Sequence, residues 1–399
     1  MMRFSVCIGS VLLTAVAACG ARIACAQEVS KEKASAREAY AKLLAMFPED
    51  HQGLGKDHYL LVTTEHQPMT YGLVLSAEAM HLRSVPNDES RRRVRLAARW
   101  LLDNSDLDRD GKPGWGLPQP WESFCKTPNP LNHPYTITTS IVLYGFLDAL
   151  KEPCCLPEAD QKAIRSLMAN VAMRWCRHIW SEGFGGGYFW YSPNPCNEIF
   201  SINASSMFSG AMVRLLKEQG DALTAEERQL VEDRVDEEAK AVVATMIMRK
   251  GLPYWLYCPQ PNKFNYKHSN DLLHHVYTLW GIETYRDYGG RVKLPWTRAQ
   301  AIESVDRFVK DGQICALPQD VGIERRFKPL RLWDVGMILA FYGKWGQPQQ
   351  SQQVLDAAEK MAPWPHLPLF PMEKTGDSSF YPRHAAHLLY GLSLYCFSP

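Results

Sequence analysis

A strong net charge of either sign is absent from this sequence of 399 residues. It has 44 basic and 43 acidic side chains, for a formal net charge of +1. A protein that grips a nucleic-acid backbone needs an excess of Lys and Arg, so nucleic acid is not an expected partner. A neutral or weakly charged molecule or polymer is compatible with this balance.

Long apolar runs and metal-binding motifs are also scarce. After the first residues no stretch is long and apolar enough for a membrane-spanning helix. The eleven Cys form no CxxC pair, and no HExxH sequence occurs, so we expect no metal of the zinc-site kind. The DxDD and DDxxD motifs of helical terpene cyclases are absent as well.

The first residues have the composition of an export signal. Arg3 supplies a positive charge, and residues 4–18 form an apolar run that is short for a bilayer span. Two cleavage sites compete: a lipobox-like sequence ending at Cys19, which would carry a lipid anchor, and the small-residue triplet at 24–26. We therefore expect residues 1–26 to be a signal and the protein to be periplasmic or an outer-membrane lipoprotein. Eleven Cys fit an oxidising compartment.

Two kinds of helical segment alternate along the rest of the chain. The first kind is amphipathic and begins with a capping signal, as at Ser35-x-x-Glu38, Thr224-x-x-Glu227 and Thr297-x-x-Gln300, with further starts at Asn87 and Pro157. The second kind is apolar nearly all round and is predicted at residues 71–82, 135–150, 201–216, 271–285, 331–342 and 381–397.

A helix without a solvated face must be enclosed by protein. Six such helices alternating with six amphipathic ones predict an all-α (α/α)₆ toroid, in which an inner ring of apolar helices lies within an outer amphipathic ring. We expect residues 27–399 to form this single domain. An open α-solenoid is the alternative, but its repeats are usually shorter, about 34 to 47 residues.

In such a toroid the inner helices point the same way, so the loops before them gather at one end. Those loops are rich in aromatic residues, including Trp115, Trp121, Tyr188 and Trp190. Aromatic faces in a cleft suit the C–H faces of sugar rings, although each ring alone is as easily explained by packing. The set predicts a cleft that binds a polysaccharide or oligosaccharide.

Polar residues cluster at the starts of the buried helices. Asp271, His274 and His275 share one helical face at i, i+3 and i+4. The sequence also places Asn203, Asn270, Arg383 and His384 at this end, and we predict that they bind substrate together with His275. The catalytic candidates are Asp271 and Asp334 first, with His274 and Glu122 beside them.

One acidic loop resembles the opening of a calcium-binding loop. Asp106, Asp108, Asp110 and Gly111 follow the pattern D-x-D-x-D-G, but Leu117 stands where the bidentate Glu is needed. A tight acidic turn is the favoured interpretation and a structural calcium the alternative. We expect no other cofactor.

Residues 108–139 carry a resemblance to a known family. The motif Asp108-x-Asp110-Gly111-x-x-Gly114-Trp115-Gly116-Leu117-Pro118, followed by Trp121 and by Asn132-x-x-Tyr135-x-Ile137-Thr138-Thr139, resembles the VpsJ-type exopolysaccharide biosynthesis proteins. More loosely, the whole chain resembles the six-hairpin glycosidase superfamily. The resemblance implies an (α/α)₆ fold, export and a role near a bacterial surface polysaccharide, and it transfers no catalytic residues.

The sequence is compatible with three functions. The first is hydrolysis of glycosidic bonds, which needs one carboxyl as acid and another as base or nucleophile. The second is a polysaccharide lyase acting on a uronate polymer, with roles for Asn270, His274, Tyr277 and Arg383. The third is a non-catalytic polysaccharide-binding or assembly factor.

Overall fold

The structure, a computed structural model, describes residues 33–57, 60–121, 124–261, 270–318, 331–361 and 380–398. The predicted signal at 1–26, with Cys19, lies outside them. Twelve α-helices occur among the described residues: α1 (33–44), α2 (Pro68–Ser84), α3 (Asp88–Asp103), α4 (Thr136–Leu150), α5 (Glu158–His178), α6 (Ile202–Gln219), α7 (Ala225–Ala244), α8 (Leu272–Asp287), α9 (Arg298–Asp306), α10 (Leu332–Trp345), α11 (Pro348–Met361) and α12 (Pro382–Phe397).

The odd-numbered helices form the outer layer, and local signals set where several of them begin. Thr224 and Thr297 cap α7 and α9 with complete capping boxes, and the Asn87 side chain accepts a hydrogen bond from Ser90 at the start of α3. The prediction that Ser35 caps the first helix is wrong, because residues 33 and 34 are already helical. The predicted amphipathic helices thus exist with small shifts of their ends.

The even-numbered helices are buried nearly all round and pack side by side in the order α2, α4, α6, α8, α10, α12 and back to α2. In α4, for example, all residues except Ile137 are buried. The contact of α12 with α2 closes the ring. This confirms the predicted (α/α)₆ toroid and excludes the open solenoid.

Glycines let the inner helices approach closely in three alternate pairs. A Cβ added to Gly145 of α4 would lie 2.6 Å from the carbonyl oxygen of Gly72 in α2, which no real side chain tolerates. The same close approach joins α6 to α8 and α10 to α12, at Gly210 with Gly281 and at Gly336 with Gly391. Substitution of any of these glycines would push two inner helices apart.

Four antiparallel hairpins were not predicted. They are formed by β1 (Leu54–Asp57) with β2 (Leu60–His66), β3 (Trp180–Gly183) with β4 (Gly186–Phe189), β5 (Ile247–Arg249) with β6 (Leu252–Tyr254), and β7 (Val309–Lys310) with β8 (Gln313–Ile314). Each lies between the end of an outer helix and the start of an inner one. They therefore all lie at the end of the ring where the inner helices begin, which we call the site end.

Large side chains fill the axis of the ring. Tyr144 of α4 and Tyr390 of α12 both contact Trp280 of α8, with ring centroids 6.5 Å and 5.7 Å apart. Because α4, α8 and α12 are not neighbours in the ring, these side chains can meet only inside it. The interior is therefore a packed core, and it separates the site end from the opposite end, which we call the far end.

A disulfide between Cys125 and Cys196 ties the loop after Trp121 to the short turn before α6. Cys154, Cys155, Cys176 and Cys396 are free thiols. None of the described helices combines the length and apolarity that a membrane crossing requires.

Candidate functional site

A cavity opens at the site end, between the first turns of the inner helices. Six of its side chains are Tyr or Trp, so its wall combines flat apolar faces with hydroxyl edges. It is lined by Met69, Leu117, Trp121, Tyr135, Ile137, Thr138, Tyr191, Asn203, Tyr257, Leu273, His274, Tyr277, Trp333 and Arg383. The residues come from the inner helices α2, α4, α6, α8, α10 and α12 and from the loops before them.

Asp271 and His274 form a hydrogen-bonded pair at the start of α8. Asp271 is the N-cap residue, and its Oδ1 accepts hydrogen bonds from the backbone N–H of His274 at 3.2 Å and from His274 Nδ1 at 2.6 Å. Burial alone would raise the pKa of the Asp271 carboxyl, but the charge and hydrogen bonds of His274 outweigh it and hold this pKa below its usual value. Asp271 is therefore a carboxylate at neutral pH.

Asp334 has the opposite electrostatic environment. It lies in the first turn of α10, and its Oδ2 accepts a hydrogen bond from the backbone N–H of Arg331 at 2.8 Å. Burial raises its pKa to about 7, and the negative charge of nearby Asp271 adds to the effect. Two neighbouring acidic groups thus differ in protonation near neutral pH: Asp271 is charged and Asp334 is about half protonated.

Trp333 carries a stack of polar and charged groups. The His384 ring lies parallel to it at a centroid distance of 4.5 Å, and the guanidinium groups of Arg331 and Arg383 lie 4.7 Å and 5.0 Å from its centroid. Arg383 also forms a buried ion pair with Asp57 at 3.0 Å. These contacts fix the orientation of the Trp333 ring in the cavity wall.

A second hydrogen-bonded pair crosses the ring below the cavity opening. The hydroxyl of Tyr277, in the second turn of α8, lies 2.6 Å from Nε2 of His387 on α12. His387 Nδ1 lies 2.6 Å from the backbone carbonyl oxygen of Arg383. Burial lowers the pKa of His387 to about 3, so this imidazole is neutral.

The structure brings several predicted site residues together. Trp121, Asn203, His274 and Arg383 line the cavity. Four predicted residues do not line it themselves: Asp271, Asp334, Asn270 and His384. Asp271 contacts the lining residue His274, whereas Asp334 directly follows Trp333 and His384 stacks on Trp333. Asn270 is buried before the cap of α8. Glu122 lies outside the described residues.

Four predicted substrate-binding residues lie elsewhere. Trp115 is a core residue whose Nε1 donates to the carbonyl oxygen of Leu101. Tyr188 stacks on Phe200, and Trp190 donates from Nε1 to the Ser181 hydroxyl; neither lines the cavity that the described residues form. His275 points outwards and pairs with Ser304 of α9 at 2.9 Å. These four residues do not line this cavity, and a role for them in binding substrate stays a prediction.

The acidic loop is closed by an arginine. Asp106, Asp108 and Asp110 bring carboxylate oxygens within 4.8 Å of one another. Arg174 binds Asp110 at 2.6 Å and donates to the backbone carbonyl oxygens of Lys112 and Pro113 at 2.9 Å. Burial, followed by the charge of Asp110, raises the pKa of Asp108 to about 6. The guanidinium group supplies positive charge to this turn.

Sequence reasoning missed Trp333 and Asp57. Trp333 directly precedes Asp334 at the start of a predicted inner helix, so the rule that selected Asp334 could have found it. Asp57 lies at the end of β1, in a hairpin that was not predicted. Nothing in its sequence neighbourhood indicates that it pairs with Arg383.

No protein-family model matches the chain, and no curated protein sequence matches it either. Solved structures are similar. One is an unsaturated glucuronyl hydrolase specific for heparin, with a TM-score of 0.53 and 11% identity over 92% of this chain and 96% of that chain. A sugar epimerase from a ruminal bacterium has a TM-score of 0.55 and 12% identity, covering 92% and 98%. An alpha-amylase from Clostridium perfringens has a TM-score of 0.55 and 12% identity, covering 92% and 97%. At these identities the similarity shows the fold alone.

Proposed function

We propose that the protein hydrolyses glycosidic bonds of a polysaccharide or oligosaccharide bound in the cavity at the site end. The observation that carries the proposal is the pair Asp271 and Asp334, whose pKa values are shifted in opposite directions. Asp271 contacts His274 and Asp334 directly follows Trp333, and both His274 and Trp333 line the cavity. Two carboxyl groups in different protonation states are what glycoside hydrolysis needs. The similar structures, described as a glucuronyl hydrolase, a sugar epimerase and an amylase, support a sugar as ligand.

Each group has a defined step in this reaction. Asp334 transfers its proton to the glycosidic oxygen as the bond to the anomeric carbon breaks. Asp271, held charged by His274, either takes a proton from the attacking water or attacks the anomeric carbon itself. A carboxyl separation of about 5 Å gives retention, and one of about 6.5 to 9.5 Å gives inversion. The aromatic faces hold the sugar rings while these transfers occur.

We also propose that the protein acts outside the cytoplasm, on a bacterial exopolysaccharide. The signal-like residues 1–26, the lipobox ending at Cys19 and the resemblance of residues 108–139 to VpsJ-type proteins support this setting. The Cys125–Cys196 disulfide is compatible with an oxidising compartment. Globomycin treatment of cells, which blocks lipoprotein signal cleavage, tests whether Cys19 carries a lipid.

Incubation with a panel of bacterial exopolysaccharides, with reducing ends as the readout, tests the proposed hydrolysis. Asp334→Asn should lower kcat by about 10²- to 10⁴-fold, because the general acid is lost. Glu238→Gln is the matched control: Glu238 is also a buried carboxyl with a pKa raised by burial, to about 8, but it faces Ser206 away from the cavity. Equal losses in both variants, or no new reducing ends with any polymer, would contradict the proposal.

A polysaccharide lyase is the second candidate, and the presence of His274 and Arg383 in the same cavity wall favours it. Elimination beside a uronate carboxylate needs a base and a group that neutralises that carboxylate. His274 could act as the base through Nε2, since its Nδ1 is bound to Asp271, and Arg383 as the neutralising group. Ultraviolet absorbance of an unsaturated uronate product separates the two reactions. A rise in this absorbance supports the lyase, whereas reducing ends without it support the hydrolase. Polymer binding without either product would leave the non-catalytic binding role.

A further inference from the structure

The hydrogen bond between His387 and the backbone fixes which ring nitrogen carries the proton. His387 Nδ1 lies 2.6 Å from the carbonyl oxygen of Arg383. A carbonyl oxygen only accepts hydrogen bonds, so Nδ1 must donate. His387 is fully buried and its pKa is lowered to about 3, so the ring carries no second proton. Its Nε2 atom is therefore a bare acceptor.

The direction of the next hydrogen bond follows. Tyr277 is buried and burial raises its pKa, so its hydroxyl keeps its proton. This single proton is donated to His387 Nε2, 2.6 Å away. The Tyr277 oxygen therefore has only lone pairs to offer to any other group. Among the described residues, His387 is its one hydrogen-bond partner.

Tyr277 is also part of the cavity wall. It lies one helical turn further into the ring than His274, and the next turn of α8 carries Trp280, which fills the axis with Tyr144 and Tyr390. Tyr277 thus lies on the deep side of the cavity wall, above the packed interior. A ligand group that pairs with its oxygen has to be a hydrogen-bond donor.

We propose that Tyr277 determines specificity by accepting a hydrogen bond from one particular sugar hydroxyl, and so selects against sugars that lack a donor there. His387 is the positioning residue, because it acts only by taking the Tyr277 proton. The proposal rests on the proposed function in so far as a sugar occupies the cavity. It is independent of which bond, if any, is cleaved.

Binding of defined sugars tests the proposal. The probes are the methyl glycosides of glucose, galactose and mannose, followed by the monodeoxy and monodeoxyfluoro derivatives of the glycoside that binds most tightly. A fluorine accepts hydrogen bonds but cannot donate. Calorimetry measures the affinity of each derivative for the unmodified protein. At one position of the sugar ring, the deoxy and the deoxyfluoro derivative should both bind about tenfold more weakly than the parent glycoside. Tyr277→Phe should remove this difference at that position alone.

Two further variants sharpen the test. Tyr135→Phe is the matched control: Tyr135 also lines the cavity, but its oxygen accepts from Asn129 at 3.0 Å, so its own proton is available to a ligand. This variant should keep the penalty that Tyr277→Phe removes. His387→Phe leaves the Tyr277 proton without its acceptor, so the deoxyfluoro derivative should regain affinity relative to the parent glycoside.

Three results would overturn the proposal. In the first, every deoxyfluoro derivative binds as tightly as the parent glycoside. In the second, Tyr277→Phe leaves the relative affinities of the derivatives unchanged. In the third, none of the glycosides binds. Asp334→Asn separates this proposal from the hydrolase proposal, since it should keep the binding pattern while cleavage is lost. If Asp334→Asn still cleaves the polymer and keeps the relative affinities of the sugar derivatives, Asp334 is not the general acid. The role of Tyr277 would not be affected by that result.

Discussion

The two ends of the ring each bury an aspartate, but with different partners. At the far end, Asp148 is buried with its Oδ1 2.8 Å from Nη2 of Arg214. At the site end, Asp334 is buried and accepts a hydrogen bond from the backbone N–H of Arg331. Burial opposes ionisation at both places. Arg214 outweighs it and lowers the pKa of Asp148, whereas the pKa of Asp334 rises to about 7. Similar burial therefore gives a charged carboxyl at one end and, at the other, a carboxyl that is about half protonated at neutral pH.

The difference lies in what each carboxyl contacts. Arg214 also binds Glu218 at 3.1 Å, so the carboxylates at the far end are each paired with a cation. The site end places the charge of Asp271 near Asp334 instead. A negative charge beside a second buried carboxyl destabilises the folded state. Such pairs of acidic groups are typical of proton-transfer sites.

The largest stability effect expected from a single substitution comes from breaking the far-end pairs. Arg214→Met removes the cation that pairs with the buried Asp148 carboxylate, so the free energy of unfolding should fall by about 3 kcal/mol. Glu218 keeps its ion pair with Lys151 at 2.6 Å. Urea denaturation measures the fall in unfolding free energy. Arg91→Met is the control, because its pair with Asp88 is solvent-exposed and should contribute less than about 1 kcal/mol. Similar losses in both variants would mean that the far-end network does not stabilise the ring.

Per pH unit, a smaller effect is expected from the pH dependence that Asp334 adds. The unfolded chain releases this proton near pH 3.8, while the folded chain holds it to about pH 7. Folding therefore takes up a proton in this window, and stability should fall as pH rises, by up to about 1.4 kcal/mol per pH unit. Asp334→Asn should be less sensitive to pH than the unmodified protein between pH 4 and 7. Parallel stability curves for the two proteins would contradict the shifted pKa.

The smallest effect is expected in the outer ring, far from both buried clusters. Thr224→Ala removes the side-chain cap of α7 and should lower the free energy of unfolding by about 1 kcal/mol. Thermal unfolding at fixed pH measures the change. Thr224→Ser keeps the hydroxyl and should behave like the unmodified protein. The sugar-binding pattern should not change in either variant, because the cap lies on an outer helix.

The repeat of helices was predictable because burial periodicity and caps are local signals. Thr224, Thr297 and Asn87 start helices where the sequence indicated. The hairpins were harder to predict from the sequence because their strands are as short as two residues. Asp311-Gly312 is a hairpin-turn sequence, and both residues have positive φ angles, so this hairpin had a readable signal.

The site was predictable only in part, as His274 and His275 illustrate. Both lie near the start of a helix that is buried all round, so the sequence pattern does not distinguish the inward face from the outward face. Consecutive helical residues differ by about 100° in direction, and the structure turns His274 towards the cavity and His275 towards Ser304. Only the packing of the ring decides between them.

Carbon-detected NMR of the protein labelled at Asp can titrate the two carboxyls separately, and so tests whether they differ in protonation. We expect Asp334 to titrate near pH 7 and Asp271 to titrate below its usual pKa. Asp271→Asn should lower the pKa of Asp334. Ordinary titration of Asp334 near pH 3.8, unaffected by Asp271→Asn, would contradict the assignment of an acid and a base to this cavity.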